Sequence, residues 1–299
     1  MSMQELRSAL TAHALDCKTE YALCEHLSFR LACTAAIAIL PQNEEELILA
    51  ASLCRKAGVK SILLGRGSNL FFAQNRYEGA VILTDALSCV TREGNCLVAA
   101  CGTPLTALAL KASKMGLSGL EFAYGIPGSV GGAVYMNAGA YGGAIADVLI
   151  ESRAYDLSSE KSVVLREHAF GYRRSVYMEN PDLICLEARF SLQEGDPAAI
   201  EKIMRGYMQK RRETQPLEYP SAGSYFKRPE GHFAGKLIED CGLKGLCIGG
   251  AEVSEKHAGF LINRGGATAA DVLALEEHVK NAVLERFGVL LEREVRVVE

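Results

Sequence analysis

The stretch from Gly125 to Gly143 constrains the fold more than any other part of this sequence, because seven of its nineteen residues are glycine. Average glycine usage predicts about one. Glycine loses more conformational freedom on folding than other residues, and it allows left-handed backbone and a close approach of the main chain to a partner. The stretch is also apolar, with Ile126, Val130 and Tyr135. We expect bare backbone that lies against a large planar ligand or its pyrophosphate, and a series of turns is the alternative.

A second glycine-containing turn, Gly65-Arg66-Gly67-Ser68-Asn69, follows an apolar run, Ser61–Leu64, that predicts a buried strand. A Rossmann dinucleotide turn is excluded because Leu70 occupies the third glycine position and the residues after it continue an extended pattern. We expect the N–H groups of this turn, with the Ser68 hydroxyl and the Asn69 amide, to receive an anionic group. The alternative is an ordinary turn at the end of a strand.

Composition and charge exclude several classes of protein. Of the 299 residues, 49% are hydrophobic and 23% are charged, as in folded globular proteins, so intrinsic disorder is excluded. A net charge of −4 and a pI near 6.0 argue against a nucleic-acid partner, which requires a basic face. No apolar run reaches the roughly 18–20 residues that cross a bilayer. Residues 1–15 lack the apolar core of a secretory signal, so we expect no membrane partner.

The spacing of cysteine and histidine argues against metal and disulfide sites. The ten cysteines contain no Cys-x-x-Cys pair, and the six histidines contain no His-Glu-x-x-His pattern. We therefore expect reduced thiols in a cytoplasmic protein and no catalytic metal ion. A Walker phosphate loop is also excluded, because Gly235-Lys236 is followed by Leu237 where serine or threonine would hold Mg²⁺.

Periodicity and turn signals predict a mixed α+β protein. Asn43 is placed to cap a helix over 42–58, and Thr268 is placed to cap one over 268–287. Pro104 is expected at the first position of a helix over 103–114. The remaining predicted helices cover 4–15, 198–212 and 232–241, and the remaining strands cover 80–84, 96–100, 148–155, 163–165, 183–190 and 295–298. The turn Glu194-Gly195-Asp196-Pro197 is the best candidate for a domain boundary.

Five motifs in order resemble the signature of UDP-N-acetylenolpyruvoylglucosamine reductases, flavoenzymes of bacterial cell-wall synthesis. The resemblance runs from about Ser28 to Val298. Its motifs are Gly65-x-Gly67-Ser68-Asn69, Gly125-Ile126-Pro127-Gly128-Ser129-Val130-Gly131-Gly132 with Met136-Asn137-Ala138-Gly139-Ala140-Tyr141-Gly142, Tyr172-Arg173-x-Ser175, Ala222-Gly223-Ser224-Tyr225-Phe226-Lys227, and Glu292-x-Glu294-Val295-Arg296. Each motif alone has modest specificity, and the five in order are highly specific.

The resemblance implies an α+β fold with a non-Rossmann FAD-binding domain of the PCMH (vanillyl-alcohol-oxidase) type, built of two subdomains, and a smaller α/β C-terminal substrate-binding domain. We expect an N-terminal helical segment over 1–27, the FAD-binding domain over 28–194 and the substrate-binding domain over 195–299. It further implies a cytoplasmic enzyme, which we expect to be a monomer. In the implied reaction, NADPH reduces FAD, the flavin delivers hydride to C3 of UDP-N-acetylglucosamine enolpyruvate, and a proton reaches C2 to give UDP-N-acetylmuramate.

Three residues match catalytic positions of the family. The resemblance implies that Ser224 protonates C2, that Arg173 stabilises the substrate carboxylate and the enolate, and that Glu294 joins Arg173 in that stabilisation. A planar guanidinium that is always charged suits a carboxylate better than lysine does. Glu292 and Arg293 are expected to point outward, and alternation along the strand places Glu294, Arg296 and Val298 on one face and Val295 and Val297 on the other.

The resemblance also implies two sets of binding residues. The residues expected to bind FAD are Gly65, Gly67, Ser68, Asn69, Gly125, Pro127, Gly128, Ser129, Gly131, Gly132, Asn137, Gly139 and Tyr141. The residues expected to bind substrate are Tyr172, Lys227, Arg228, Lys256 and Asn263.

The sequence departs from the family pattern in two places that bear on FAD affinity. The family usually reads Ser-Phe-Arg-x-Gly-Gly in the first place, whereas here Arg30 is followed by Leu31-Ala32-Cys33-Thr34. In the second place, Arg66 stands where glycine is common. Arg173 and Ser224 are 51 positions apart, a spacing that resembles the shorter subtype of the family, which lacks a capping loop that bears a tyrosine. Two alternatives remain open: a flavin oxidase of the same fold, and a non-catalytic nucleotide-binding protein.

Overall fold

The computed structural model describes residues 3–299, so the first two residues of the expected N-terminal segment lie outside the described residues. Its internal contacts divide the chain into two compact units. The first unit contains the residues up to Thr19 together with Ile37–Arg66 and Glu78–Gln209, and the second contains Glu20–Ala36, Gly67–Tyr77 and Lys210–Glu299. The domain boundaries after residues 27 and 194 stay a prediction.

Eight α-helices lie within residues 3–299. They are α1 (Met3–Ala12), α2 (Glu44–Ala57), α3 (Leu105–Lys114), α4 (Val130–Met136), α5 (Val176–Glu179), α6 (Pro197–Thr214), α7 (Ala234–Asp240) and α8 (Ala269–Phe287). Within this part of the chain, no helix combines the length and the apolar character that crossing a membrane requires.

The two predicted helix caps are confirmed. The Asn43 side chain accepts a hydrogen bond from the Glu46 N–H at the start of α2, and Gly58 ends this helix in the left-handed region at φ +64°. Thr268 and Asp271 form a reciprocal capping box at the start of α8. These side chains satisfy N–H groups that have no partner inside the helix, which explains why both helices begin where they do.

Eighteen strands lie within the described part of the chain. They are β1 (Cys17–Ala22), β2 (Thr34–Ile39), β3 (Ser61–Leu64), β4 (Leu70–Phe72), β5 (Arg76–Leu83), β6 (Val90–Glu93), β7 (Cys96–Ala100), β8 (Leu117–Ser118), β9 (Gly139–Ala140), β10 (Gly143–Ala144), β11 (Leu149–Asp156), β12 (Lys161–Leu165), β13 (Leu183–Ser191), β14 (Gln193–Glu194), β15 (Cys247–Ile248), β16 (Ala251–Val253), β17 (Leu261–Asn263) and β18 (Arg296–Val298).

The larger sheets belong chiefly to the first unit. One has four strands in the order β1-β2-β5-β3, in which β3 and β5 are parallel. The other has five antiparallel strands in the order β12-β11-β13-β7-β6. Leu47 and Cys54 of α2 pack with Ile39 and Ile82 in one core, and α3 and α4 pack with the five-stranded sheet in another. The hairpin β9–β10 brings the two ends of the 139–144 segment together.

The second unit contains a three-stranded antiparallel sheet, β15-β16-β17, and a parallel pair, β4 with β18. Its core joins Phe71 of β4 to the apolar face of α8, which buries Val272, Leu275 and Val279. Leu284, near the end of the same helix, is exposed.

Two local expectations are wrong. Pro104 precedes α3 rather than occupying its first position. The glycine-rich stretch also contains a helix, α4, although Gly131 and Gly132 disfavour helix. Ser129 caps α4, and a Cβ atom on Gly131 would lie 3.0 Å from the Cys101 Cβ, so close packing against Cys101 favours glycine here despite its low helix propensity.

Candidate active site

Gly65 begins the turn after β3, in the first unit. A Cβ atom on Gly65 would lie 2.2 Å from the Ser129 Oγ, so a side chain does not fit without a shift. Ser129 is itself buried, and its Oγ accepts a hydrogen bond from the Gly132 N–H at 3.3 Å. The two glycine-rich segments predicted from the sequence therefore touch at Gly65 and Ser129.

Gly67, Ser68 and Asn69 belong to the second unit. Gly67 has φ +53°, and a Cβ atom there would lie 2.0 Å from the His26 carbonyl oxygen. Within residues 3–299, neither the Gly67 N–H nor the Ser68 N–H donates a hydrogen bond, so both suit an external acceptor. The Asn69 Nδ2 donates to the Glu294 carbonyl at 3.2 Å, which ties this turn to the segment that carries Glu294.

The first amides of α4 are engaged by the protein. The Val130 N–H donates to the Thr103 carbonyl at 2.8 Å, and the Gly131 N–H donates to the Cys101 carbonyl at 2.7 Å. The expected pyrophosphate contact therefore does not come from these two amides. Among the other residues expected to bind FAD here, Pro127 and Gly132 are exposed, and Gly125 and Gly128 are half-buried.

The hairpin β9–β10 is held by close packing and by a tyrosine pair. A Cβ atom on Gly139 would lie 2.7 Å from the Gly143 carbonyl oxygen, so the two strands approach more closely than side chains allow. Tyr141, at the tip, has φ +54°. Its ring stacks on that of Tyr207 at a centroid distance of 4.2 Å, and its hydroxyl donates to the Tyr207 carbonyl at 3.1 Å. The stack anchors the hairpin to α6.

Asn137 connects the glycine-rich stretch to the loop that carries Arg173. It ends α4 in the left-handed region at φ +42°, its Nδ2 donates to the Gly171 carbonyl at 3.0 Å, and its Oδ1 accepts from the Ala146 N–H at 3.0 Å. These contacts give the buried Asn137 side chain a structural role. Its expected contact with the cofactor stays a prediction.

Arg173 lies in the first unit in a left-handed conformation with φ +56°, which is unfavourable for a residue with a long side chain. Its Nη2 donates to the Gly139 carbonyl at 3.3 Å, and its guanidinium lies 5.1 Å from the ring centroid of Tyr172. Tyr172 is 56% exposed. Arg174 instead pairs with Glu179 and is exposed. The loop thus presents one half-buried guanidinium over the glycine hairpin.

Buried hydrogen bonds fix both ends of this loop. The Ser152 Oγ lies 2.7 Å from the His168 Nε2 and 2.7 Å from the Tyr177 hydroxyl, and all three side chains are buried. The Ser175 Oγ donates to the Tyr135 carbonyl at 2.7 Å. These contacts account for the strained backbone at Arg173, because the surrounding structure overdetermines the loop conformation.

His168 makes the stability of the first unit sensitive to acid. Burial lowers the pKa of His168 below its ordinary value of 6.5. Because the unfolded chain then binds more protons than the folded chain below about pH 6.5, we expect the free energy of unfolding to fall as pH drops through this range. Chemical denaturation of wild type and His168→Gln between pH 7.5 and 5 tests this. An equally steep fall in the variant would contradict it.

Ser224 and Glu294 lie on neighbouring backbone segments of the second unit. The Glu294 N–H donates to the Tyr225 carbonyl at 2.9 Å, and the Lys227 N–H donates to the Glu292 carbonyl at 2.8 Å, so the two segments pair antiparallel. Ser224 is exposed and follows Gly223, which has φ +80°. The structure therefore brings together two of the three expected catalytic residues within this unit.

The cations expected to bind substrate are all on the second unit. The Lys227 Nζ lies 3.1 Å from a Glu292 carboxylate oxygen, and the Lys256 Nζ lies 3.6 Å from a Glu218 carboxylate oxygen. The Arg228 guanidinium lies 4.0 Å from the ring centroid of Phe233. The two ion pairs lie at the protein surface, where such pairs contribute little to stability.

Asn263 is a structural residue in the second unit. It is buried, its Nδ2 donates to the Phe29 and Arg30 carbonyls at 3.2 and 3.4 Å, and its Oδ1 accepts from the Gly265 and Ala267 N–H groups. Both polar atoms are engaged, so Asn263 holds the Phe29–Arg30 backbone. Its expected substrate contact stays a prediction.

The expectation that Arg293 points outward is wrong, and the sequence analysis missed its partner. Arg293 binds the buried carboxylate of Glu276, which also accepts a hydrogen bond from the Tyr225 hydroxyl at 2.8 Å. The sequence does contain a signal for this pair, because Glu276 occupies a core position between Val272 and Val279 on the apolar face of α8. A carboxylate in such a position requires a buried partner.

Comparisons with known proteins bear on the fold. Residues 35–162 match the family described as "FAD binding domain", and residues 215–298 match the family described as "UDP-N-acetylenolpyruvoylglucosamine reductase, C-terminal domain". These matches confirm the expected α+β fold, a PCMH-type FAD-binding domain with a smaller C-terminal domain.

Individual relatives match over nearly the whole chain. The UDP-N-acetylenolpyruvoylglucosamine reductases of Clostridium perfringens and Clostridium novyi are 46% and 45% identical to it, each over 95% of this chain and over 93% and 92% of the relatives. The crystal structure of the reductase from Thermus caldophilus has a TM-score of 0.80 at 33% identity, with 95% of this chain and 99% of that one covered. This chain belongs to the UDP-N-acetylenolpyruvoylglucosamine reductase family.

Proposed function

We propose that this chain uses NADPH to reduce UDP-N-acetylglucosamine enolpyruvate to UDP-N-acetylmuramate, a precursor of peptidoglycan. The observation that carries the proposal is the position of the exposed Ser224 hydroxyl on a segment whose backbone pairs with that of Glu294, in a member of this family. We further propose that the enzyme acts in the cytoplasm as a monomer of the shorter family subtype.

The residues of the two glycine-rich segments fit FAD. Gly67 and Ser68 offer two consecutive backbone donors, which suit a pyrophosphate, and Gly65 keeps the preceding backbone close to Ser129 where a Cβ atom would intrude. The exposed backbone at Gly132 suits a flat ring. Bound FAD, once reduced by NADPH, supplies the hydride for C3 of the enolpyruvyl group.

Gly65→Ala is expected to weaken FAD binding by about tenfold, because overpacking of this kind costs about 1–3 kcal/mol. The new Cβ atom would overlap the Ser129 Oγ, so the turn that leads into the Gly67 and Ser68 donors must shift. Flavin absorbance during titration of FAD into the apoprotein measures the affinity. Gly65→Ala/Ser129→Ala is expected to recover part of it.

The control is Gly206→Ala on α6, where an added Cβ atom meets nothing within 4 Å. It is expected to retain the affinity of wild type. Unchanged affinity in Gly65→Ala would refute the fit of Gly65 to the cofactor site.

Ser224 is the proposed proton donor to C2. Addition of hydride at C3 leaves negative charge that C2 and the neighbouring carboxylate share, and the product forms when C2 takes a proton. A serine hydroxyl is a weak acid, so its proton moves only as that charge develops. Exposure of Ser224 allows water to return the proton to its oxygen. Glu294, on the paired segment, is proposed to join Arg173 in stabilising the negative charge that builds up during the transfer.

Arg173 is proposed to bind the substrate carboxylate. The planar fork of its guanidinium matches the two carboxylate oxygens. The hydrogen bond to the Gly139 carbonyl and the contact with Tyr172 leave few conformations to the side chain, so less entropy is lost when substrate binds. Tyr172, Lys227, Arg228 and Lys256 are proposed as further substrate contacts, the three cations for the diphosphate.

Spectroscopy and turnover test the proposed function. The purified protein is expected to be yellow with noncovalent flavin, and its consumption of NADPH is expected to depend on the enolpyruvyl substrate. Rapid oxidation of hydroxy acids or alcohols with oxygen, without need for NADPH, would indicate an oxidase. Nucleotide binding without any turnover would indicate a binding protein. Either result would refute the proposal.

A further inference from the structure

Glu276 is a carboxylate inside the core of the second unit. Glu276 is 3% exposed, and it lies on α8 beside Leu275 and Val279, which are fully buried. Transfer of a carboxylate from water into such surroundings is costly unless the charge is paired and hydrogen-bonded. The position therefore demands specific partners, which an apolar side chain would not need.

The partners come from two other parts of the chain. The Tyr225 hydroxyl donates to the Glu276 Oε2 at 2.8 Å, and Arg293 reaches the same oxygen from its Nε at 2.7 Å and from its Nη2 at 2.6 Å. The Lys280 Nζ lies 3.7 Å from the other carboxylate oxygen. Tyr225 is 1% exposed and the Glu276 side chain is 4% exposed, so the hydrogen bond between them is shielded from water.

Each partner is the immediate chain neighbour of a proposed catalytic residue. Tyr225 follows Ser224, and Arg293 precedes Glu294. The Glu294 N–H donates to the Tyr225 carbonyl at 2.9 Å, and the Tyr225 N–H donates to the Gly259 carbonyl at 2.8 Å. Glu276 thus binds both segments one residue away from Ser224 and Glu294.

Stability alone does not account for this arrangement, because apolar residues of similar volume are often as stable as a buried ion pair. Hydrogen bonds depend more strongly on angle and distance than apolar contacts do, so a small shift of either segment would break them. We propose that Glu276, Tyr225 and Arg293 form a positioning cluster that fixes Ser224 relative to Glu294. This inference rests on the proposed function, since it takes Ser224 as the proton donor.

The test separates the two halves of the reaction in the holoenzyme. Glu276→Gln and Tyr225→Phe keep the shape of each side chain and remove one hydrogen-bonding property. We expect the rate of flavin reduction by NADPH to change less than about twofold. The rate at which the reduced enzyme converts saturating enolpyruvyl substrate is expected to fall by about ten- to a hundredfold, since misplacement by 1 Å can have this effect. The control is Glu277→Gln, the same change at the next, exposed position, with both rates expected to match wild type.

A double-mutant cycle distinguishes positioning from a general loss of structure. If Glu276 acts through Ser224, its replacement should matter little once Ser224 is absent. We therefore expect the substrate rate of Ser224→Ala/Glu276→Gln to lie within about twofold of the rate of Ser224→Ala alone. A full additional loss in that background would overturn the inference, as would wild-type substrate rates in folded Glu276→Gln and Tyr225→Phe. If Glu276→Gln does not fold, Tyr225→Phe decides alone. Full activity of Ser224→Ala would instead overturn the proposed function, and the inference with it.

Discussion

Ser224→Ala is expected to lower product formation by about 10²–10⁴-fold, the usual contribution of a positioned proton donor. Flavin reduction by NADPH is expected to continue at the wild-type rate, because this half of the reaction does not need a proton at C2. Bleaching of the flavin absorbance measures the first half, and its return on addition of enolpyruvyl substrate measures the second. The variant is expected to remain bleached.

The matched control is Ser221→Ala, which removes a hydroxyl three residues earlier in the same unit. Its two half-reactions are expected to resemble those of wild type. Rapid return of the flavin absorbance in Ser224→Ala would remove Ser224 from its proposed role and leave the proton for C2 to another group.

Arg293→Leu is expected to lower the free energy of unfolding by about 3–5 kcal/mol, because it leaves a buried carboxylate without its charged partner. The Glu276 side chain is 4% exposed, and the change removes both of its hydrogen bonds from the guanidinium. Urea denaturation of the holoenzyme, followed by circular dichroism, measures the loss. Arg293→Leu/Glu276→Leu is expected to recover most of it, since both charges are then absent.

Arg205→Leu is the control, because Arg205 pairs with Glu201 on the surface of α6 and such pairs contribute roughly 0–1 kcal/mol. A loss of stability in Arg293→Leu no larger than in Arg205→Leu would show that water or Lys280 compensates for the missing guanidinium. No recovery in the double variant would show that the packing of Arg293, and not its charge, stabilises this region.

Local sequence was sufficient to predict features that depend on a few neighbouring residues. The cap at Asn43 and the capping box at Thr268 were predicted because a side chain one turn away satisfies the helix N–H groups. The strand β4 after the Gly65–Asn69 turn was expected because the third glycine of a Rossmann turn is replaced by Leu70. Both results concern groups only a few residues apart.

Prediction failed where a polar group finds its partner far along the chain. The sequence analysis placed Arg293 outward, whereas it binds Glu276, and it did not foresee that Asn263 holds the backbone of Phe29 and Arg30. The helix α4 was missed for a similar reason, because close packing against Cys101 favours glycine at position 131 despite its low helix propensity. Only residue-level packing reveals these partners.

By itself, the sequence determined the family, the helix caps and the need for glycine in the two cofactor segments, since these follow from short motifs and from backbone sterics. The tertiary structure decided which distant groups the buried polar side chains bind. Asn137 and Asn263 match family motifs, yet their hydrogen bonds join distant segments, up to 234 residues apart. The physical reason is that a buried polar atom must be paired, and the packing of remote elements determines both its burial and its partner.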